Sequence, residues 1–201
     1  MILIAGDSFT AETRFALWHD YLINPSQKKL NVAGHGVGNI FIAESIKRVV
    51  EQNRIKACLV IWSEMDRLDK AESKVKAKMY TGLSGKIWNH YGNMVSGEAK
   101  ADWKNLGYDK VVAMNEEAID YTHNLLEQFE IPYAYSFIRD SDLVPERFKV
   151  DAIEPFIGDY AVEKQMLEDD DDHANTECHK EYADILRTSI TGKNIERIIN
   201  E

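Results

Sequence analysis

The sequence has little cysteine, proline or glycine for its length: 2 cysteines, 4 prolines and 11 glycines in 201 residues. Such low proline and glycine contents exclude a collagen-like or low-complexity chain, and 44% hydrophobic residues suffice for one core. Cys58 and Cys178 lie far apart with no second cysteine nearby, so neither a disulfide nor a zinc site is expected. We therefore expect a single globular domain over residues 1–201.

Positive charge and long hydrophobic runs are also scarce. Lys and Arg number 24 against 34 Asp and Glu, which gives a formal net charge of −10. This excess repels phosphate groups, so neither nucleic acid nor a membrane is an expected partner. No apolar run is long enough to span a bilayer, and the N-terminus lacks a basic segment before its apolar residues. These features predict a cytoplasmic protein, or one released by lysis or particle assembly, and leave its oligomeric state open.

Short apolar runs alternate with helical periods along the chain. Four runs predict buried strands: 1–5, 30–33, 57–62 and 133–138. Four stretches of helical spacing predict helices: 9–22, 40–50, 111–129 and a terminal one around 182–186. This alternation is typical of an α/β fold with a parallel sheet between two helical layers. Residues 67–107 break the rhythm and predict an insertion or lid, and residues 139–159 predict a loop.

Several polar residues follow the predicted strands. Ser8 follows the first strand, the loop 34–39 the second, and the segment 63–67 the third, while His173 leads into the last helix. Ligands of parallel sheets bind beyond the carboxyl ends of the strands. A serine hydroxyl becomes a nucleophile when a histidine takes its proton and a carboxylate orients that histidine. The order serine, then aspartate and histidine near the C-terminus, fits this requirement.

Three segments resemble the sequence blocks of the SGNH (GDSL) hydrolase superfamily. ILIAGDSFT resembles the first block, in which a Gly-Asp-Ser turn presents the nucleophile at a helix N-terminus. DDDHANTECHKEYADIL resembles the last block, Asp-x-x-His, with Asp170 and His173 at the matching spacing. LNVAGHGVGNIFIAESI is similar to the second block, whose glycine N–H serves the oxyanion hole, and Gly36 takes that place.

The resemblance implies a flavodoxin-like, three-layer α/β/α fold and a serine ester hydrolase that needs no cofactor or metal. Ser8 would be the nucleophile, His173 the base and Asp170 its orienting acid, with the N–H groups of Ser8 and Gly36 in the oxyanion hole. The implied substrate is a small or carbohydrate O-ester, including an acetyl ester. Aromatic residues in the insertion, Tyr80, Trp88, Tyr91 and Trp103, favour a sugar modestly because such rings stack on sugars.

The third block departs from the family pattern. Gly-x-Asn-Asp is expected after the third strand, but the chain continues WSEMDRLD and places Met65 where the oxyanion-hole asparagine is expected. Loss of one such donor costs about 100 to 1,000-fold in rate. Ser63, Asn39 or a backbone amide of the 63–66 turn could replace it, and Ser63 is our first choice. A loop of Trp-Ser followed by Arg resembles a variant in bacterial and viral relatives, which indicates a divergent subgroup.

Other interpretations of these motifs remain open. Gly-Asp-Ser is also ordinary turn and helix-capping chemistry, and GHGVGN does not complete a dinucleotide fingerprint. His35 is expected to face solvent or substrate, and His179 to pack or cap a helix. The acidic run 169–172 is typical of a solvated loop, and the functional alternative is a metal site. The function alternatives are an inactive relative that binds carbohydrate or serves in assembly, and a flavodoxin-like nucleotide binder.

Overall fold

The computed structural model describes residues 1–11, 15–72, 87–91, 105–140, 142–168, 171–191 and 194–201. Within these ranges the strands are β1 (Ile2–Gly6), β2 (Lys29–Asn31), β3 (Ala57–Trp62), β4 (Leu68–Glu72), β5 (Ile87–Tyr91), β6 (Tyr133–Phe137), β7 (Leu167–Glu168) and β8 (Asp171–Ala174). The helices are α1 (Trp18–Leu22), α2 (Asn39–Gln52), α3 (Tyr108–Gln128), α4 (Glu146–Lys149), α5 (Ile157–Glu163), α6 (Thr176–Ser189) and α7 (Asn194–Asn200).

Four parallel strands form the main sheet in the order β2-β1-β3-β6. Leu3 of β1 pairs with Leu30 of β2 on one side and with Cys58 of β3 on the other. The α/β fold with a parallel sheet is thus confirmed. Two antiparallel pairs, β4 with β5 and β7 with β8, lie outside this sheet.

Alternate residues of the strands enter two separate hydrophobic clusters. One cluster joins strand residues to α2 and α3: Leu3, Ala5, Val60, Trp62, Ile42, Ile46, Ile119 and Leu126. The other joins the intervening residues to α1, α5 and α6: Ile2, Ile4, Leu59, Ile61, Trp18, Leu22, Ile157 and Tyr182. A period of two along each strand sends successive side chains to opposite faces, so both faces of the sheet are covered by helices.

The turn after β1 differs from the predicted helix over 9–22. In the described part of that range, the first helix begins only at Trp18. The amides of Thr10 and Ala11 both donate to the Asp7 carbonyl oxygen, at 2.9 and 2.8 Å, and the Phe9 amide donates to Asp7 Oδ1 at 3.1 Å. Asp7 therefore satisfies the amides that a helical turn would otherwise use, and the chain forms a compact turn here.

The loop predicted over 139–159 is also wrong in part. It contains the four-residue helix α4 and the start of α5, which are too short to give a clear hydrophobic period. The acidic run was expected to be a loop, but Glu168 and Asp171 pair across the β7–β8 hairpin. Helix α7 was not predicted, and it buries Ile195 and Ile199 against the second cluster.

The predicted insertion is described only at β4, β5 and its C-terminal end. Segments 73–86 and 92–104, with Tyr80 and Trp103, lie outside the described residues, as do the side chains of Trp88 and Tyr91. Cys58 and Cys178 are both buried and unbonded to each other. None of the helices in the described ranges has the length and apolarity needed to cross a membrane.

Candidate functional site

Ser8 lies immediately beyond the carboxyl end of β1, in the turn formed by Asp7. Gly6 precedes this turn, and a Cβ at Gly6 would lie 2.8 Å from the Ile61 carbonyl oxygen and 2.6 Å from Thr10 Oγ1. Only glycine permits so close an approach of β1 to β3 at this point. The Ser8 hydroxyl is 3.5 Å from Asp7 Oδ2, a long and weak hydrogen bond.

A pocket of about 120 Å³ opens beside Ser8. Its polar wall contains Ser8, His35, Glu168, His173 and His179. Its apolar wall contains Phe9, Phe15, Leu17 and Ala174. The structure therefore brings together Ser8 and His173, which are separated by most of the sequence.

His173 is held at this pocket by the elements on both sides of it. It belongs to β8, where Ala174 pairs with Leu167, and α6 follows directly. The Asn175 side chain caps α6 by accepting a hydrogen bond from the Cys178 amide at 3.0 Å. The rings of His173 and Phe9 have centroids 5.2 Å apart, so the imidazole lies against the residue that follows Ser8.

The predicted acid, Asp170, lies outside the described residues. Glu168 supplies a carboxylate to the described wall of the pocket. It belongs to β7, the strand that pairs with the strand of His173. Sequence spacing alone did not indicate Glu168, because its position depends on the hairpin.

Asp7 is the most strongly perturbed carboxyl group of the site. It is 1% exposed, and this burial raises its pKa to about 6, against the opposing effects of the Arg67 guanidinium and the Phe9 amide. Arg67 Nη1 lies 3.4 Å from Asp7 Oδ2. The pair lies next to Ser8, and removing Arg67 would leave the buried Asp7 carboxylate without its charged partner.

Arg67 also contacts the loops that follow β2 and β3. Its Nη1 donates to the Val37 carbonyl oxygen at 3.2 Å, and its Nη2 donates to Glu64 Oε2 at 3.0 Å. Val37 lies in the β2–α2 loop and Glu64 in the loop after β3. One guanidinium thus joins the three loops at the carboxyl edge of the sheet, a role that the sequence analysis missed.

The third block is arranged differently from the family pattern. Met65 is 1% exposed and belongs to the first hydrophobic cluster, so it is a core residue. The Asn39 side chain accepts from the Ser63 amide at 2.7 Å and donates to the Ser63 carbonyl oxygen at 3.2 Å. Asn39 is therefore engaged in holding the backbone. The Ser63 hydroxyl is buried and has no hydrogen-bond partner among the described residues.

Two more side chains hold this block, and neither was singled out in the sequence. Asn115 Nδ2 donates to the carbonyl oxygens of Met65 and Arg67 at 2.9 and 3.0 Å. Asp69 accepts hydrogen bonds at 2.8 Å from the amides of Gly38 and Phe41, which lie at the start of α2. A negative charge at a helix N-terminus is favourable. The segment WSEMDRLD is thus fixed to α2 and α3 by side chains distant in sequence.

The β2–α2 loop carries the predicted oxyanion donor, Gly36. Gly36 has φ +67°, and a Cβ there would meet nothing within 4 Å, so its backbone conformation is what favours glycine. His35, next to it, lines the pocket. Gly36 thus lies in the loop that borders the pocket, and its role as a donor stays a prediction, as does that of Ser63.

Two further histidines lie near the pocket. Burial lowers the pKa of both His179 and His19 to about 4, and their residue exposures are 4% and 3%. His19 Nε2 is 3.3 Å from the Thr10 carbonyl oxygen. Both imidazoles are therefore neutral near pH 7.

A second cavity, of about 420 Å³, lies beside the start of β6. Rings of His123, Tyr133, Tyr135 and Phe148 line it, together with Asp120, Glu127, Asp151 and Arg147. His123 and Tyr135 have ring centroids 4.5 Å apart. We call this space the His123 cavity and the other the Ser8 pocket.

Within the described ranges, no cluster of three or more His, Cys, Asp or Glu side chains is arranged to hold a metal ion. No protein-family model and no curated protein matches the chain. The site therefore has to be interpreted from its own geometry.

Proposed function

We propose that the protein is a serine ester hydrolase of the SGNH type, an esterase or acetylesterase acting on a small or carbohydrate O-ester. The observation that carries this proposal is the joint presence of Ser8 and His173 in one pocket at the carboxyl end of β1. The sheet order β2-β1-β3-β6, with hydrophobic clusters on both faces, supports the three-layer α/β/α version of the fold.

In the proposed reaction, Ser8 Oγ attacks the ester carbonyl carbon while His173 accepts the hydroxyl proton. His173 then gives that proton to the leaving alcohol oxygen as the ester C–O bond breaks and an acyl-serine forms. In the second half, His173 takes a proton from water as the water oxygen attacks the acyl carbon. His173 then returns that proton to Ser8 Oγ as the acyl-serine C–O bond breaks and the carboxylic acid leaves. The N–H groups of Ser8 and Gly36 and the Ser63 hydroxyl would stabilise the oxyanion, and Asp170 would orient His173.

The size of the Ser8 pocket favours a short acyl group. Its volume, about 120 Å³, is smaller than an engineered cavity of roughly 150 Å³ that accepts benzene. Phe9, Phe15 and Leu17 give the pocket an apolar side suited to a methyl or short alkyl group. An acetyl group therefore fits this volume.

The test is hydrolysis of p-nitrophenyl acetate by the unsubstituted protein, Ser8→Ala and the control Ser26→Ala, whose hydroxyl is in an exposed turn with Asn24. Ser8→Ala should lose at least about 1,000-fold in kcat/KM, and Ser26→Ala should retain full activity. A serine-reactive phosphonate should modify Ser8 alone, as measured by peptide mass spectrometry. Activity of Ser8→Ala within tenfold of the unsubstituted protein would refute the nucleophile.

A second candidate is a catalytically inactive relative that binds carbohydrate or serves in assembly. The burial of Met65 in the core favours it, because the expected asparagine donor is absent from the block. This candidate predicts no turnover and no phosphonate adduct, together with binding of a sugar to the pocket.

A further inference from the structure

His179 is a polar residue of the Ser8 pocket that the proposed mechanism does not use. It lies in the first turn of α6, where its amide donates to the Asn175 carbonyl oxygen at 3.1 Å. Its side chain borders the pocket together with Ser8 and His173, although the residue is only 4% exposed. The imidazole is therefore almost entirely enclosed, and the pocket is where a ligand could contact it.

The hydrogen bonding of this imidazole is incomplete. Nδ1 is buried and has no hydrogen-bond partner among the described residues. A neutral imidazole has one N–H and one lone pair, and a buried N–H without an acceptor is rarer than a lone pair without a donor. The proton consequently belongs on Nε2, and Nε2–H is the donor that His179 offers to the pocket.

The surroundings of His179 keep it neutral. Burial is the largest cause of its lowered pKa, and His19 and His173 lower the pKa further, while Asp20 opposes them. A neutral imidazole that donates from a buried position can polarise an oxygen without giving up its proton. The lowered pKa makes His179 a weak base, and the lone pair on the buried Nδ1 is out of reach of a substrate.

Resting on the esterase function proposed above, we propose that His179 donates a hydrogen bond from Nε2 to an oxygen atom of the bound ester. The acceptor is either the scissile carbonyl oxygen or a hydroxyl oxygen in the alcohol part of the substrate. In the first case His179 contributes to the oxyanion hole, where the block-three asparagine is missing. In the second case it selects esters of polyhydroxylated alcohols such as sugars.

Two esters that differ by one hydroxyl group separate these cases: ethyl acetate and 2-hydroxyethyl acetate, with hydrolysis followed by titration of the released acid. His179→Phe keeps a ring and removes the donor, and His179→Gln restores a donor. His123→Phe is the matched control, because His123 is half-buried, also has a buried ring nitrogen without a described partner, and lies outside the Ser8 pocket. All four proteins are compared at one pH near neutrality.

We expect His179→Phe to lose about tenfold or more in kcat/KM, and His179→Gln to recover most of the loss. A fall in kcat on both esters identifies the carbonyl oxygen as the acceptor. A loss confined to 2-hydroxyethyl acetate identifies the hydroxyl oxygen. Kinetics of His179→Phe equal to those of the unsubstituted protein on both esters would overturn the inference.

A measurement on the unsubstituted protein covers the case in which His179→Phe does not fold. Long-range ¹⁵N–¹H spectra of the histidine rings report the tautomer, with His179→Gln used for assignment. Protonation at Nε2 is expected, and protonation at Nδ1 would overturn the inference. Absence of any ester hydrolysis by the unsubstituted protein would overturn the proposed function as well, so the two failures are distinguishable.

Discussion

The Ser8 pocket and the His123 cavity share one feature, an imidazole with a buried ring nitrogen that has no hydrogen-bond partner among the described residues. Burial lowers the pKa of His179 in the first and of His123 in the second. The larger space is the His123 cavity, at about 420 Å³ against about 120 Å³. Neither the larger volume nor a histidine with a lowered pKa is therefore enough to identify the functional site.

The difference lies in the chemistry around each imidazole. Besides His179, the Ser8 pocket is lined by a serine and two more histidines, His35 and His173, and by an apolar wall. In the His123 cavity the hydroxyls belong to tyrosines: Tyr135 donates to the Phe148 carbonyl oxygen at 2.9 Å, and burial raises the pKa of both Tyr135 and Tyr133. Nucleophilic catalysis needs a hydroxyl within reach of a base, so the comparison favours the smaller space as the active site.

The largest expected effect comes from replacing a histidine by glutamine, once in the Ser8 pocket and once in the His123 cavity. His173→Gln removes the base and should lower kcat/KM for p-nitrophenyl acetate about 1,000-fold or more. His123→Gln should leave the same constant unchanged, because the His123 cavity plays no part in the proposed reaction. Steady-state kinetics of both variants checks this, and equal losses in the two would end the distinction.

The arginines of the two regions should differ in their contribution to stability. Arg67, whose side chain is 19% exposed, pairs with the buried Asp7, whereas Arg147 is 51% exposed and pairs with Glu116 and Asp120. Arg67→Met should lower the free energy of unfolding by about 3 kcal/mol at pH 7.5, since it leaves a buried carboxylate unpaired. Arg147→Met should cost less than about 1 kcal/mol.

Urea unfolding at pH 5 and pH 7.5 also tests whether the effect of Arg67→Met on stability changes with pH in the expected direction. Burial raises the pKa of Asp7 above its unfolded value, so this group destabilises the fold as pH rises through about 6. Without Arg67 the pKa of Asp7 should rise further, and Arg67→Met should therefore be less harmful at pH 5 than at pH 7.5. Equal losses at both pH values would mean that Asp7 and Arg67 are not coupled.

The sequence was sufficient where local pattern decides the structure. Six consecutive apolar residues predicted β3 at Ala57–Trp62, with the bounds that the structure has, because a strand buried on both faces needs no alternation. Helix α2 was predicted to within two residues at each end. The position of Ser8 at the edge of the sheet also followed from the strand ends, because parallel strands bring their carboxyl ends to one edge. His173 reaches the same pocket from the antiparallel β7–β8 hairpin, which the strand ends did not indicate.

The sequence was insufficient where partners are distant. Met65 was placed at the site by block alignment, yet Asn39 and Asn115 hold the backbone on either side of it and direct its side chain into the core. The Asp7 side chain, which caps the turn after β1, has its charge partner in Arg67, sixty positions away. No local period records such contacts, so the network behind the site could not be predicted.

The buried histidines predict a common pH dependence of stability. Burial lowers the pKa of His19 and His179 to about 4, below the usual value of about 6.5. The unfolded chain binds these protons more tightly, so the free energy of unfolding should fall as pH decreases from about 6.5 to 4. Each of the two histidines accounts for a loss of up to about 3 kcal/mol in the free energy of unfolding. Asp7 opposes this loss, because its raised pKa means that the folded protein binds a proton more tightly than the unfolded chain does.

Urea titrations at pH 7 and pH 4.5 measure this fall. His179→Phe should make the loss of stability between pH 7 and pH 4.5 smaller, because the fold no longer has to keep that imidazole neutral. His123→Phe should also make the loss smaller, because burial lowers the pKa of His123 too. A stability that is flat between these pH values would show that the imidazoles are not enclosed as described. This test concerns what the two regions share.

The smallest expected effects come from removing one hydroxyl group in each region, by Ser63→Ala and by Tyr135→Phe. The Ser63 hydroxyl is buried without a described partner, so Ser63→Ala should change the free energy of unfolding by less than about 1 kcal/mol. Tyr135→Phe removes a hydrogen bond already made to Phe148 and should cost about 1 kcal/mol without affecting hydrolysis. If Ser63 donates to the oxyanion, Ser63→Ala should lower kcat for p-nitrophenyl acetate about tenfold with KM little changed, because that bond forms chiefly in the transition state. An unchanged kcat would assign the missing donor to His179 or to a backbone amide of the 63–66 turn.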